Sequence, residues 1–220
     1  VVFDAVGTLL FPSIPAPQVY AAVAHRAGLH LDLGTVRTRF LEAYQAQERV
    51  DEAAGWVTSE QREHERWQRI VAATLLEAPQ VDDCFRILFD HFAQPAAWQL
   101  HPEAGEVIAN LASRGYRLGM GSNYDSRLTA VLAGFPEVRP LRQRVVISSL
   151  VGFRKPARQF FAEVIHQMEC QPHQVLFVGD DLTNDYLAAT EAGLAAVLLD
   201  TENRQPEIPR RIRRLTELLA

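Results

Sequence analysis

Four segments of the chain carry side chains able to act together as a hydrolytic site. The first is the apolar run Val1-Val2-Phe3, which ends in Asp4 and continues Ala5-Val6-Gly7-Thr8. It reads as a strand delivering one carboxylate into a glycine-bearing turn. The others are Ser122-Asn123, Arg154-Lys155-Pro156, and Gly179-Asp180-Asp181 with Asp185. A carboxylate nucleophile needs a hydroxyl and a cation to bind the group it attacks, and further carboxylates to hold a hard divalent ion. Asp4, then Ser122 with Lys155, then Asp180 with Asp185 meet these needs in turn. Gathered in one crevice, the three carboxylates raise one another's pKa unless Mg²⁺ or Lys155 compensates them.

The elements that must bring these residues together follow from the pattern between them. After the first strand the writing turns helical until about residue 98, with apolar residues near periods of three and four. Pro17–Gly28 forms one helix and Thr35–Val50 a second, with Val36, Phe40, Leu41 and Tyr44 on one face. Thr58 with Gln61 reads as a capping box opening a third helix through Leu76, and Val81–Phe92 is a fourth. From Pro102 helix and strand alternate. Pro102–Arg114, Pro156–Met168 and Thr183–Ala192 are helices; Tyr116–Gly121, Arg144–Ser148, Gln174–Val178 and Ala195–Leu199 are strands. This predicts an α/β fold with a doubly wound parallel sheet, in which ligands sit beyond the carboxyl ends of the strands. The expected division is a core of residues 1–13 and 98–220 with a helical insertion at 14–97.

With these residues in place, the chain resembles the haloacid dehalogenase (HAD) superfamily over nearly its whole length. Its four motifs occur in order: Phe3-Asp4-Ala5-Val6-Gly7-Thr8-Leu9, Gly121-Ser122-Asn123, Arg154-Lys155-Pro156, and Val178-Gly179-Asp180-Asp181 with Asp185. The resemblance implies a Rossmann-like core, and the insertion resembles the helical cap of the subfamily whose lid lies between the first two motifs. It also implies that Asp4 is the nucleophile and that Thr8 steadies the first motif's loop. Ser122, Asn123 and Lys155 bind the transferred group. Mg²⁺ is held by Asp4, the backbone carbonyl of Val6 and Asp180, with Asp185 supporting the ion directly, from behind or through water.

One position departs from the family's phosphatases. Where they carry a second acid, two residues after the nucleophile, this chain has Val6. The group around HAD domain-containing protein 3 departs there too. General acid–base help of this kind is worth roughly 10²–10⁴-fold, or about 3–5 kcal/mol of barrier. Three readings follow: a Mg²⁺-dependent phosphohydrolase confined to good leaving groups, a 2-haloacid dehalogenase whose halide leaves unprotonated, or a binding protein with weak or no turnover. Retention of Asp180 and Asp181 favours the first, because the metal-free dehalogenases lack that acid and clustered carboxylates are costly without a cation.

Composition narrows the class further. A net charge of −5 over 220 residues offers no basic face for nucleic acid, and the longest apolar runs fall well short of the roughly 18 residues that span a bilayer. The expectation is a cytoplasmic enzyme, monomer or homodimer, acting on a small phosphorylated metabolite or activated ester. The chain opens inside a strand without Met, so a few residues upstream are expected. Cys84 and Cys170 read as isolated reduced thiols, and the seven histidines include no metal-binding pair. Gly119-Met120-Gly121 lacks the third glycine of a dinucleotide fingerprint and reads as close packing. Arg210–Arg214 is expected to flank a terminal amphipathic helix with Ile212, Leu215, Leu218 and Leu219 inward. Arg37 and Arg39 read as solvated, Asp181 as a loop-orienting residue, and Ser122-Asn123 as the N-cap of a following helix.

Overall fold

Strand and helix alternate through the computed structural model, which describes Val1–Ala220. Strand β1 (Val2–Phe3) leads through a turn to β2 (Leu10–Pro12) and then to four helices: α1 (Ala16–Arg26), α2 (Leu33–Ala53), α3 (Glu60–Thr74) and α4 (Val81–His91). The chain returns through β3 (Trp98–Leu100), α5 (Ala104–Ser113), β4 (Gly119–Ser122), α6 (Arg127–Ala133), β5 (Val145–Ile147), the single turn α7 (Ser148–Val151) and α8 (Arg158–Met168). It closes with β6 (Leu176–Gly179), α9 (Ala188–Glu191), β7 (Ala195–Leu199) and β8 (Arg211–Ile212).

The main sheet is six-stranded in the order β5-β4-β1-β6-β7-β8, and every pairing in it is parallel. Side chains alternate across it with the period of two that a strand dictates. Phe3 and Val178 pack with α5, α6 and the chain's last residues, while their neighbours Val2 and Phe177 pack with α8 and α9 on the other face. Covering both faces is why the inner strands β1, β6 and β7 are apolar throughout rather than half polar. The expected α/β architecture is therefore the observed one, and β1 at the centre places Asp4 in the crevice at the sheet's carboxyl end.

The helices α1–α4 bury a separate cluster of their own, with Tyr20, Val23, Val36, Val71, Phe85 and Leu88 at its centre. No helix is long and apolar enough to cross a membrane.

Several expectations are corrected. The cap of α3 is Ser59, whose hydroxyl accepts from Arg62 N–H, while Thr58 instead donates to Glu63 at 2.8 Å. No helix starts at Ser122-Asn123: the chain bends there and α6 begins only at Arg127. Residues 182–187 wind as a π-helical turn, with only Ala188–Glu191 α-helical. The terminal amphipathic helix is replaced by edge strand β8 and a 3₁₀ turn over Leu215–Leu219. The backbone of 210–212 accepts from Leu198 and Asp200 N–H instead of coiling. The antiparallel pair β2–β3, which brings residues 12 and 98 side by side, was not foreseen.

Candidate active site

Asp4 leaves β1 with its N–H donating to the Val178 carbonyl, so the carboxylate's position follows directly from the β1–β6 pairing. Lys155 lies on the loop between α7 and α8 and is 3% exposed, so its ammonium needs acceptors close at hand. It donates to Asp4 Oδ1 and Asp185 Oδ1, each at 2.6 Å, and to the Gly121 carbonyl at 3.3 Å. Asn123 fixes that loop from β4. Its Oδ1 accepts from Lys155 N–H at 2.8 Å and its Nδ2 donates to the Lys155 carbonyl at 3.0 Å. Asn123, expected to bind the transferred group, thus spends both ends of its side chain holding Lys155. Ser122 is buried and lines the same cavity.

On the opposite side Thr8 Oγ1 donates to Asp180 Oδ1 at 3.0 Å, tying the first turn to the end of β6. Asp181 caps the turn that follows, accepting from Thr183 and Asn184 N–H at 2.8 Å each. Asp185 has both oxygens engaged, one by Lys155 and one by the Asp181 N–H at 3.1 Å. The second oxygens of Asp4 and Asp180 have no protein partner and remain available. Val6 lines the cavity, 39% exposed, and its side chain carries no group that could give or take a proton.

One carboxylate oxygen from each of Asp4, Asp180 and Asp185 lies within 4.8 Å of the others. Burial pushes Asp4 up to about 8, with Asp185 and Asp180 adding to the rise and Lys155 opposing it. Asp180 opens into the cavity, yet the protein packed around its other sides, and then Asp185, push it up to about 6 against the Thr8 hydrogen bond. Burial would lower Lys155, but Asp185 and Asp4 more than offset that and keep the ammonium protonated. Three acids against one lysine leave an excess of negative charge, and the donors are all hard oxygens, the set that suits Mg²⁺. Glycine at position 7 keeps the cradle open. Its φ is +101°, and a Cβ there would run into the Asp180 carboxylate. The residues present fit a hard divalent cation.

Above the acids lies a cavity of about 380 Å³, whose far wall comes from α1–α4 and is mostly aromatic, including Tyr20, Phe40, Tyr44, Trp67, Phe85 and Phe89. Beside it, a buried charge cluster that the sequence did not reveal joins α2 and α3 to the loop carrying Lys155. Arg154 donates to Glu63 at 2.6 Å and to Glu48 at 3.2 Å, and Arg62 and Arg66 bind Asp51 at 2.6 and 2.9 Å. Backbone bonds from Thr58 to Gly152 and from Arg154 to Trp56 continue the same seam, and Glu60 accepts from Ser126 and Ser149. The available signal was that the buried stripe of α3 carries Glu63 and Arg66 where Ile70 and Val71 follow. Charge on such a stripe implies partners. Arg39 pairs with Glu77 at the surface, and both cysteines are free.

The family model for haloacid dehalogenase-like hydrolases matches residues 1–193. The chain is 29% identical over 204 residues to haloacid dehalogenase-like hydrolase domain-containing protein 3 of Xenopus laevis, covering 90% of this chain and 83% of that one. It is 32% identical over 112 residues to the glyceraldehyde 3-phosphate phosphatase of Methanothermobacter thermautotrophicus, covering 48% and 47%. Among solved structures it is similar to the magnesium-bound putative HAD-hydrolase YfnB of Bacillus subtilis, with TM-score 0.75, 20% identity and coverage of 99% and 95%. It is also similar to the L-2-haloacid dehalogenase of Xanthobacter autotrophicus, with TM-score 0.73, 17% identity and coverage of 99% and 95%.

Proposed function

The chain belongs to the haloacid dehalogenase-like hydrolase family, and from that premise we propose that it is a Mg²⁺-dependent phosphohydrolase acting through Asp4 on esters with good leaving groups. The observation that carries this reading is the Asp4–Lys155–Asp185 chain of 2.6 Å contacts with Asp180 held alongside by Thr8. Magnesium would be held by Asp4, Asp180 and the Val6 carbonyl, with Asp185 behind them through Lys155 or water; when bound it supplies the positive charge that the three acids and a phosphate lack. Residues 14–97 act as the cap that closes the cavity and excludes water.

In the reaction, an Asp4 oxygen forms a bond to phosphorus as the ester oxygen departs with its electron pair. Lys155 neutralises the phosphoryl oxygens, and Ser122 donates a hydrogen bond to them. Asn123 acts at one remove, as a positioning residue for Lys155. Water then attacks phosphorus, releasing inorganic phosphate and restoring Asp4. Val6 can neither protonate the departing oxygen nor activate that water, so the ester must carry a leaving group stable as an anion.

Val6 is also the observation that favours a second reading, hydrolysis of a 2-haloacid, since halide needs no proton. Asp180 weighs against it. Acetyl phosphate hydrolysis with and without Mg²⁺ tests the proposal. Metal-dependent turnover abolished in Asp4→Asn is expected, whereas metal-independent halide release from 2-chloropropionate in EDTA would overturn it.

A further inference from the structure

The wall of the cavity facing the acids points to a particular substrate class, an inference that rests on the reading of Asp4 as nucleophile. Beyond the acids, Asp181 and Lys155, the only charged side chain lining the cavity is Arg127. Its charge is already balanced. Nε and one terminal nitrogen bond the two Asp125 oxygens at 2.7 Å, the other donates to the Phe89 carbonyl at 2.8 Å, and the guanidinium stacks 3.5 Å from the Phe89 ring centroid. No unpaired cation is left to receive a second phosphate or a carboxylate. The remainder of the wall is flat and apolar, with Tyr20 and Phe40 edge to face at 5.1 Å. Its volume lies within the roughly 300–1,000 Å³ typical of small-molecule sites.

Of the polar groups on this wall, those of Tyr20, Tyr44 and Trp67 make no hydrogen bond in the protein, and Tyr20 is the most buried of the three. Tyr124 Oη and Trp98 Nε1 both donate to the Phe92 carbonyl, at 3.0 and 3.1 Å. Tyr20, only 2% exposed, lines the cavity with a hydroxyl that makes no hydrogen bond in the protein. Its hydroxyl opens on the cavity from an otherwise buried ring and is left for a bound ligand to meet. Leaving-group chemistry agrees with this wall. A phenolic oxygen has a pKa of about 10, so it departs as an anion without the acid that Val6 does not provide.

We propose that the substrate is the phosphate monoester of a flat, uncharged aromatic alcohol bearing a second polar substituent that meets Tyr20. The ester P–O bond breaks, the aryloxide leaves with its electron pair and takes a proton from solvent, and Asp4 carries the phosphoryl group to water.

The test compares 2-naphthyl phosphate with acetyl phosphate on the Mg²⁺-loaded protein, because acetyl phosphate needs Asp4 but not the aromatic wall. The expected KM for 2-naphthyl phosphate is lower by on the order of 100-fold, from burial of the ring system. Tyr20→Phe is expected to raise KM for 6-hydroxy-2-naphthyl phosphate about tenfold more than for 2-naphthyl phosphate. Turnover of acetyl phosphate with no advantage for the naphthyl ester overturns this inference and leaves Asp4 as nucleophile intact. If neither ester is hydrolysed, the catalytic reading fails, and titration with 2-naphthol followed through Trp67 and Trp98 fluorescence decides the aryl site. Saturable sub-millimolar binding upholds that site, and a flat titration overturns it.

Discussion

Replacing Arg154 by Met removes one of three arginines that face three carboxylates beneath the loop carrying Lys155. Arg62, Arg66 and Arg154 balance Glu48, Asp51 and Glu63, and Asp51 and Glu63 are 0% and 2% exposed. The variant leaves Glu63 with only the Thr58 hydroxyl and the cluster with one uncompensated negative charge. Removing one partner of a buried pair costs about 3–5 kcal/mol. Part of that returns, because Arg154 Nε is itself buried without a partner and its loss relieves about 1 kcal/mol. A net loss of about 2–4 kcal/mol follows, large against total stabilities of roughly 5–15 kcal/mol. At about 2–4 °C per kcal/mol for a chain of this size, Tm falls by roughly 5–15 °C. Calorimetry at pH 7 measures it directly. The double variant Arg154→Met/Glu63→Gln restores charge balance and recovers about 1–3 kcal/mol as coupling energy. A single variant within 2 °C of the parent, or strictly additive losses, would refute the view that this cluster holds α2 and α3 against the loop carrying Lys155.

Asn123→Ala removes both hydrogen bonds to the Lys155 backbone; kcat/KM falls by on the order of 10–100-fold and urea stability by about 1–3 kcal/mol, with wild-type kinetics as the contradicting result. Gly7→Ala, at φ +101° and against Asp180, costs about 1–3 kcal/mol and weakens Mg²⁺ binding in calorimetric titration; unchanged affinity would contradict it. The folded-state pKa values of Asp4 and Asp180, raised to about 8 and about 6 from 3.8, mean that the folded state holds more protons than the unfolded chain between those limits. Metal-free stability therefore falls as pH rises from about 4 to 8, and Mg²⁺ raises Tm more at pH 8 than at pH 5. Equal Mg²⁺ effects at the two pH values in thermal melts would count against a metal among these acids.

What the sequence made legible has a common physical origin. Asp4, Ser122 and Asp180 each close a short apolar run, so parallel pairing alone sends them to one edge of the sheet. The helices α1–α4 announce themselves by apolar spacing. The elements that escaped are those too short for any periodicity. Strands β2 and β3 have three residues each and pair across more than eighty residues of chain. Helix α6 and the turn after it lie among Gly134, Pro136 and Pro140, which read as loop. The charge cluster was hidden because Arg and Glu on a helix usually face water; only tertiary packing shows that Asp51, Glu63 and Arg66 do not. Asn123 was legible as a candidate for the site but not as the clamp on Lys155, since its partners are backbone groups thirty-two residues away. The cavity wall was invisible for a related reason: amphipathic spacing marks Phe40 and Tyr44 as inward-facing without separating a cavity from a packed core.

The most direct measurement of the central claim is chemical trapping of the phosphorylated carboxylate. The Mg²⁺-loaded protein is mixed with acetyl phosphate, quenched in acid, reduced with borohydride and mapped by peptide mass spectrometry. Reduction of an aspartyl phosphate leaves homoserine, and the account places it at position 4 in the parent and nowhere in Asp4→Asn. Steady turnover with no homoserine at position 4, or with the modification at another carboxylate, would contradict it.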